Sequence, residues 1–381
     1  MNSRSLKKSA SVVLASFRSS TYPRGYASAL HSLRPCLGRG ASWRAGVGRV
    51  RSLAFLSLLP VRCRAIVVQL CLIAIIGLQS GCITLNLIEP AGPVKEAQLS
   101  GTGDGKVLLL DLSGVISSQD KEGLIPQTNM VAMFKEELTK AAKDGKIKAV
   151  VVRINSPGGT VTASDILYHE LREFKLKKKV PVIASMMDVA ASGGYYVAMA
   201  SDSVMVHPST VTGSIGVIML TVNARGLLEK VGVEANAITS GPRKDMGSPF
   251  RVMTAEERGI FQSVIDSFYQ RFLAVVQEGR PNLSAEQIKK LADGRIYSGD
   301  QAKATGLIDE IGYLDDAIEM AKKKAGLTEA RVVTYGRRGE YQNNIYSRLF
   351  GTSSGITGLA NLDLLTMVRG GTPQFMYLWM P

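Results

Sequence analysis

Hydrophobic and polar positions after residue 105 switch repeatedly between two spacings, which predict strands and helices in alternation. Short apolar or β-branched runs indicate buried strands, and apolar positions three and four residues apart indicate helices. The predicted strands are Val107–Leu112, Ala149–Ile154, Val180–Met187, Val204–Val206, Val217–Val222 and Val233–Ile238. The predicted helices among them are Met130–Ala142, Val161–Phe174 and Ala190–Ala200. This alternation favours an α/β domain with a mainly parallel sheet.

The later part of this domain is predicted to be helical. Thr254–Glu257 and Ser284–Gln287 each have the spacing of a capping box, in which a hydroxyl and a Glu or Gln side chain bond to the first turn. A third helix is predicted over Tyr313–Ala325.

These patterns place one α/β domain at residues 106–335. Residues 89–105 are rich in Gly, Pro and small polar residues and are expected to form a linker. The tail at 336–381 is rich in Gly and Thr and ends in the apolar stretch Phe375–Met380. We expect that stretch to pack on the domain or to bind a partner.

Residues 65–88 contain no charged side chain and directly follow Arg62 and Arg64. A basic flank before an apolar run is typical of a secretory signal or signal anchor, and about 20 apolar residues are enough to span a bilayer. A buried core helix is the alternative, but core helices seldom extend so far without a charge. Because basic flanks stay in the cytoplasm, the domain is expected on the extracytoplasmic side of the cell membrane.

Cys82 raises a finer question about this segment. The sequence LQSGC that ends at Cys82 is similar to a bacterial lipoprotein cleavage site, with small residues at Ser80 and Gly81. Gln79 departs from that pattern, which normally has a leucine or a similar residue there. Cys82 is therefore a candidate lipidation site, with an uncleaved single-pass anchor as the alternative.

The net charge of +14 resides almost entirely in the leader at residues 1–64. That leader has twelve Lys and Arg and no Asp or Glu, which leaves 46 − 12 = 34 basic against 32 acidic residues in the remainder. The balance beyond residue 64 gives no reason to expect nucleic-acid binding. The leader has the composition of a long cytoplasmic tail, an organelle transit peptide or an over-extended reading frame, and we expect it to lie outside the folded protein.

The four cysteines all lie in the first 82 residues. A disulfide framework, a cysteine nucleophile and a cysteine-ligated metal are thereby excluded from the domain. With three histidines in the whole chain, a His-rich metal site is not expected either.

Two glycine-containing turns are the candidate chemical sites. Ile154–Thr160 (INSPGGT) joins a predicted strand to a helix, where glycines let the backbone approach a ligand and present N–H groups. Such a turn suits an oxyanion hole or a phosphate, and it is also an ordinary tight turn. Asp188–Ala198 (DVAASGGYYVA) places Ser192 at a predicted helix start, either as a nucleophile or as a helix N-cap.

A serine nucleophile needs a base, and the histidines are poorly suited to that role. His169 falls in the middle of a helix and His207 precedes a proline, so both are expected to be exposed or locally satisfied. A lysine kept neutral by burial is the alternative base. Lys244 lies in a Gly- and Pro-rich loop, apart from the solvated lysine runs, although an exposed loop lysine is the simpler interpretation.

The order and spacing of four motifs resemble those of a known family. The motifs are SPGG, ASGGYY, TGSIGV and KDMGSPFR, and DGRIYSGDQAKATGLIDEIG extends the match, which covers roughly residues 105–330. Together they resemble the SppA signal peptide peptidase family, which comprises membrane-associated Ser/Lys serine proteases with a ClpP/crotonase-like fold.

The resemblance implies a role for each candidate residue. Ser192 would be the nucleophile, Lys244 the general base and Ser214 the residue that orients Lys244. The oxyanion hole would be formed by the N–H groups of Gly193 and Gly159, with Gly158 as a further candidate. This chemistry requires no metal or cofactor.

A single copy of the domain, with 52 residues between Ser192 and Lys244, resembles the shorter family type. In that type both members of the dyad lie in one repeat, and the subunits form a ring-like homo-oligomer. The implied substrates are signal peptides, which are apolar and can bind as an added strand. The rival hypotheses are a crotonase-like acyl-CoA enzyme, a membrane protease that acts on a stomatin-like partner, and a catalytically silent scaffold.

Overall fold

A computed structural model describes residues 94–119, 129–337, 343–347 and 374–381, together with residue 69. The strands and helices below all belong to the compact unit Asn86–Pro381. The leader, the apolar run at 65–88 and the candidate lipidation site Cys82 lie outside the described residues, except for residue 69. Within those ranges, no helix combines the length and the apolar character that crossing a bilayer requires.

Strands and helices alternate through most of the described chain. The strands are β1 (Lys95–Ser100), β2 (Lys106–Ser113), β3 (Ile147–Ser156), β4 (Gly158–Thr160), β5 (Val182–Ala191), β6 (Ser203–Val206), β7 (Val211–Gly213), β8 (Ile218–Met219), β9 (Ile296–Ser298), β10 (Glu310–Ile311), β11 (Arg331–Gly336) and β12 (Phe375–Leu378). The helices are α1 (Met130–Lys143), α2 (Val161–Lys178), α3 (Gly193–Ala198), α4 (Arg225–Lys230), α5 (Ala255–Gly279), α6 (Ala285–Leu291), α7 (Gly299–Ala304) and α8 (Leu314–Lys324).

A nine-stranded sheet with the order β1-β11-β2-β3-β5-β6-β10 forms the centre of the domain, and β7 and β9 extend it beside β5. The pairings from β11 through β10 are parallel, and only β1 and β9 join antiparallel. The central strands β3 and β5 are buried along most of their length, because helices cover both faces of a parallel sheet. The predicted α/β class with a mainly parallel sheet is confirmed.

A second sheet has three strands in the order β4-β12-β8. Its central strand β12 pairs antiparallel with both neighbours. The apolar stretch Phe375–Met380 therefore packs on the domain, which was one of its two expected roles. The strand β4 contains Gly158 and Gly159, so this small sheet lies at the candidate oxyanion turn.

The helix starts follow from local sequence. Thr254 and Ser284 each accept a hydrogen bond from the backbone N–H three residues on, and both capping boxes are complete. These boxes satisfy backbone donors that a helix start would otherwise leave unpaired. The helix α8 begins one residue later than the predicted Tyr313 and ends one residue earlier than the predicted Ala325.

Four local predictions differ from the structure, and one of them is the strand Val217–Val222, which is reduced to Ile218–Met219. The predicted strand Val233–Ile238 is wrong, because these residues form no strand and are all exposed. The predicted helix Ala190–Ala200 is shortened to α3, since Ala190 and Ala191 continue β5. The expected linker at 89–105 contains the edge strand β1, which pairs antiparallel with β11. Its mixture of polar and apolar residues suits an edge strand with one solvated face.

Candidate active site

Ser192 lies at the sharp junction between β5 and α3, where its backbone adopts φ 52° and ψ −114°. A positive φ is uncommon for residues other than glycine, and such strain concentrates at functional positions. The side chain is 1% exposed, and its Oγ has no hydrogen-bond partner among the described residues. Although Ser192 occupies the N-cap position of α3, its side chain makes no capping bond. Among the described residues, the Ser192 hydroxyl is therefore not used to cap the helix.

Ser214 is positioned beside Ser192 by the sheet. Gly213 pairs with Ala191 in the parallel ladder of β7 and β5, so the next residues, Ser214 and Ser192, leave neighbouring strand ends. The Ser192 N–H donates to the Gly213 carbonyl oxygen at 2.8 Å. Ser214 is buried and also has a positive φ, of 49°. Two serines with unusual backbone conformations thus lie at one end of the same sheet.

The glycines of the INSPGGT turn closely approach the turn that carries Ser192. A Cβ atom at Gly158 would lie 2.6 Å from the Gly193 nitrogen and 2.0 Å from the Tyr377 carbonyl oxygen. Because φ at Gly158 is +100°, a side chain there would also strain the backbone. A Cβ atom at Gly193 would lie 3.1 Å from the same Tyr377 oxygen. The turn needs glycine because three backbone segments meet there.

The N–H of Gly159 points away from the main sheet. Its neighbours use the other side of β4: the Ile116 N–H donates to the Gly158 oxygen, and the Thr160 N–H donates to the Ile116 oxygen. Since successive groups on a strand point to opposite edges, the Gly159 N–H faces its antiparallel partner Tyr377. The Gly159 N–H, a candidate oxyanion donor, therefore lies on the β12 side of β4.

Lys244 lies in the loop between α4 and α5. Its side chain is exposed, and among the described residues it makes no hydrogen bond or ion pair, with Ser192 or any other group. From residue 216 to residue 256 of the described chain no residue is buried. Contacts among the described residues thus bring together Ser192, Ser214 and the glycines, and no side-chain hydrogen bond joins Lys244 to them.

Arg251 ties the Lys244 loop to the start of α5. Its guanidinium donates to Asp245 at 2.6 Å and 2.8 Å, and to Glu257 at 2.9 Å. The hydrogen bonds from Arg251, and secondly the Thr254 N–H, lower the pKa of Glu257 from 4.5 to about 2. Hydrogen bonding to Arg251 also lowers the pKa of Asp245. Ion pairs of Arg251 therefore connect the loop that carries Lys244 to the first turn of α5.

One histidine is exposed and the other is bonded to a nearby side chain, as the sequence predicts. His169 is exposed on α2. His207 is partly buried, its Nδ1 lies 2.8 Å from the Ser209 hydroxyl, and its ring packs edge-on against Tyr313 at 4.9 Å. In the part of the chain that the structure describes, no group of three or more His, Cys, Asp or Glu side chains is placed to hold a metal ion.

The sequence reasoning missed the contact between β12 and the glycines. Tyr377 is fully buried, and its hydroxyl donates to the Phe268 carbonyl oxygen at 2.8 Å. The apolar character of Phe375–Met380 indicates that the segment is buried, but it does not indicate which part of the domain covers it.

Comparison with known proteins places this constellation in a family. The model of peptidase family S49 matches residues 174–328, which include Ser192, Ser214 and Lys244. The "Putative signal peptide peptidase SppA" of Enterococcus faecium is 39% identical over 63% of this chain and 70% of that protein. The chain belongs to peptidase family S49. It is a serine protease, as its S49 relatives indicate.

Similarity to S49 proteins extends beyond bacteria. The "Serine protease SPPA, chloroplastic" of Arabidopsis thaliana is 33% identical over 73% of this chain and 42% of that protein. Among solved structures, a mutant ClpP1 from Listeria monocytogenes is similar at 19% identity, with a TM-score of 0.36, over 55% of this chain and 94% of that chain.

Proposed function

We propose that this S49 peptidase has a ClpP/crotonase-like fold and hydrolyses peptide bonds with a Ser192/Lys244 dyad. The observation that carries the proposal is the state of Ser192: a buried, unpaired hydroxyl at a strained turn beside Gly158, Gly159 and Gly193. A free hydroxyl next to converging backbone donors is the arrangement that acyl transfer needs.

Each step of the reaction has a residue to perform it. Neutral Lys244, oriented by Ser214, takes the proton from the Ser192 hydroxyl as its oxygen attacks the peptide carbonyl. The N–H groups of Gly159 and Gly193, with Gly158 as a further candidate, hold the oxyanion. The lysine ammonium then protonates the leaving amine, and water hydrolyses the acyl-enzyme.

Lys244 reaches Ser192, in this proposal, when copies of the chain assemble. Within one chain Lys244 is exposed and makes no bond to Ser192. The same unburied segment exposes a set of large apolar side chains: Val222, Leu227, Val231, Val233, Ile238, Phe250 and Val252. Large apolar side chains exposed together in one segment are typical of an interaction site. A neighbouring copy that covers it would complete the catalytic site and exclude water from the lysine.

The proposed substrates are apolar peptides, above all remnant signal peptides. The groove between β4 and β8 holds an extended strand, which is the conformation that proteases and β-augmenting domains bind. The Enterococcus faecium relative carries the name signal peptide peptidase. The uncharged run at 65–88 would keep the domain at the outer face of the cell membrane, where such peptides remain.

The dyad is tested in the full chain in detergent with an apolar fluorogenic peptide. Ser192→Ala and Lys244→Ala should each lower kcat/KM by about 10³-fold or more, since members of a catalytic unit fail together. Lys230→Ala, another exposed lysine of the same segment, should retain activity. Full activity in both dyad variants would refute the proposed mechanism.

Mixing the two inactive variants tests the assembly. If the dyad forms between copies, Ser192→Ala and Lys244→Ala chains unfolded and refolded together should regain activity, because one variant supplies the serine and the other the lysine. Co-refolded mixtures that are oligomeric yet inactive would assign both residues to a single chain.

Membrane attachment needs its own measurement. Ile75→Asp together with Ile76→Asp should release the chain from carbonate-washed membranes, because two central charges oppose insertion of the run. Mass spectrometry of the membrane-extracted chain distinguishes the two modes of attachment: an intact Gly81–Cys82 peptide indicates an uncleaved anchor.

A further inference from the structure

The strand β5 contains a bulge near its carboxyl end. Ile154 of β3 pairs with Met186 of β5. The next pair is Ser156 with Ala190, so β5 advances by four residues while β3 advances by two. Asn155 alone therefore stands opposite three residues of β5. An insertion of this kind is a β-bulge, and bulges next to active sites re-aim a side chain.

This bulge sets the position of Ser192 along the sheet. Two residues beyond the last pair of the ladder lie Gly158 and Ser192, which are thereby brought level with each other. Without the extra residues, Ser192 would be displaced along the strand by two residues, or about 6.6 Å. The two turns do meet, because a Cβ built at Gly158 lies 2.6 Å from the Gly193 nitrogen. The bulge therefore determines whether the serine and the candidate oxyanion donors share one site.

Asn155 bonds to the bulge with both ends of its amide. Its Oδ1 accepts the Val189 N–H at 3.2 Å, and its Nδ2 donates to the Asp188 carboxylate at 3.1 Å. The bulge removes the Val189 N–H from the ladder with β3, and a backbone donor without a partner is unfavourable. An amide side chain suits this position because it provides an acceptor and a donor together.

Thr210 holds the opposite edge of the bulge. It is 1% exposed, and its hydroxyl lies 2.5 Å from the Met187 carbonyl oxygen and 3.0 Å from that of Met186. At this point β5 changes partners, since its ladder with β6 ends at Met186 and its ladder with β7 begins at Val189. The strand β7 leads directly to Ser214. The bulge thus sets the positions of both serines of the candidate site.

We propose that Asn155 is a positioning residue of the active site, which holds the β5 bulge and thereby aligns the Ser192 hydroxyl with the candidate oxyanion donors. Thr210 supports the same bulge from its other side. This role rests on the proposed function, because it takes Ser192 as the nucleophile. Asn155 acts through the backbone of β5 and takes part in no covalent step.

The first experiment changes one atom of the amide in the full chain. Asn155→Asp replaces the donor with a second carboxylate beside Asp188 and should lower kcat for an apolar peptide by about 10²-fold, with little change in KM, because a misplacement of about 1 Å has this effect. Asn155→Asp combined with Asp188→Asn restores one donor and one acceptor, and it should recover most of the lost kcat. Asn344→Asp makes the same change at an exposed asparagine that accepts the Tyr346 N–H at 2.9 Å, and it should retain activity.

Urea unfolding shows which of these variants are folded. A folded Asn155→Asp protein with the kcat of the wild type would overturn the proposal. A folded double variant as inactive as Asn155→Asp would do the same, because the exchanged pair makes the same two hydrogen bonds.

The second experiment does not depend on the folding of an Asn155 variant. Thr210→Val removes the hydroxyl and keeps the branched shape, and it should slow the labelling of Ser192 by a small fluorophosphonate about tenfold, since the serine is misplaced. In the wild type, the Val189 amide should exchange with solvent far more slowly than the amides around Lys244, because it is bonded to Asn155. An unchanged labelling rate in folded Thr210→Val, or fast exchange at Val189, would contradict the proposal.

A Ser192→Ala control separates the two levels of inference. If Ser192→Ala abolishes hydrolysis while Asn155→Asp leaves kcat unchanged, the proposed function stands and the positioning role is refuted. If Ser192→Ala leaves hydrolysis intact, the proposed nucleophile fails, and the positioning role fails with it.

Discussion

The ring of Tyr377 stacks on the ring of Tyr196, with centroids 5.1 Å apart and an angle of 24° between the planes. Tyr196 lies on α3, four residues after Ser192, and Tyr377 lies on a strand that is distant in sequence. The Tyr196 hydroxyl donates to Asp165 at 2.5 Å, and Asp165 also pairs with Arg271 at 3.0 Å. The helix that follows Ser192 thus contacts an aromatic ring through the Tyr196 ring and a carboxylate through the Tyr196 hydroxyl.

Removing the Tyr196 hydroxyl separates these two contacts. Tyr196→Phe should lower the free energy of unfolding by about 1.5–3 kcal/mol, because a hydrogen bond to a charged group is lost. Peptide selectivity should not change, because the ring that faces Tyr377 remains. Urea unfolding and kcat/KM for peptides with Tyr, Phe or Ala before the cleaved bond give the two readouts. A change in peptide selectivity with an unchanged free energy of unfolding would contradict the prediction that the Tyr196 hydroxyl serves stability.

A methyl group at Gly158 should damage both the fold and the chemistry. Gly158→Ala places a Cβ 2.0 Å from the Tyr377 oxygen at a φ of +100°. The backbone conformation alone should cost about 1–3 kcal/mol of stability. Displacement of the adjacent donors should lower kcat by about 10²-fold. Thermal unfolding and steady-state kinetics measure both effects.

Gly145→Ala is the matched control for that variant, since a Cβ there meets no atom within 4 Å. It should change stability by no more than about 1 kcal/mol and leave kcat unaltered. A similar loss of activity in both variants would mean that the tight turn at Gly158 has no special role.

The buried ion pair between Arg153 and Asp111 predicts a large effect on stability. Arg153 is 1% exposed, lies 2.8 Å from Asp111, and also donates to the carbonyl oxygens of Ile345 and Ser347. Asp111→Ala leaves the guanidinium without its counter-ion and should cost about 3–5 kcal/mol in urea unfolding. Arg172→Ala, which breaks an exposed pair with Glu278, should cost at most about 1 kcal/mol. If both variants lose the same free energy of unfolding, burial does not strengthen the contribution of the Arg153–Asp111 pair.

Acid should weaken the anchor of the Lys244 loop through Glu257. Its pKa is lowered to about 2 in the folded protein, from 4.5, so the folded state favours the ionised form. Its contribution is fully present above pH 4.5 and is lost as the pH falls towards 2. The free energy of unfolding of the wild type should therefore fall more steeply over this range than that of Glu257→Gln. Parallel slopes for the two proteins would contradict the lowered pKa.

Periodicity predicted the central sheet because buried parallel strands have continuous apolar runs, as in Ala149–Ile154 and Val180–Met187. It failed at Val233–Ile238, where β-branched residues are exposed. A single sequence does not distinguish an apolar run that enters a core from one left on a surface. The strand β1 was missed for the opposite reason, since an edge strand with solvated positions has little apolar signal.

Some features of the candidate site could also be predicted from local sequence, and others could not. Local sequence placed Ser192, Gly158 and Gly159 at turns, because glycine and serine at strand ends are local signals. The meeting of these turns, and the placement of Ser214 beside Ser192, depends on strand order, which local sequence does not encode. Tyr377 depends on a contact with Phe268 across 109 residues, and no local pattern could indicate it.

The position of Ser192 at the end of β5 has a consequence for how the enzyme could be switched. The strand β5 pairs with β3, β6 and β7, so its amides should exchange with solvent only when the whole domain unfolds. The amides around Lys244, where no residue from 216 to 256 of the described chain is buried, should exchange through small local openings. The proposed nucleophile thus ends a strand at the centre of the sheet, whereas the proposed base lies in a segment without a buried residue. In the proposed mechanism, ordering this surface segment, with no change in the core, would be sufficient to turn hydrolysis on.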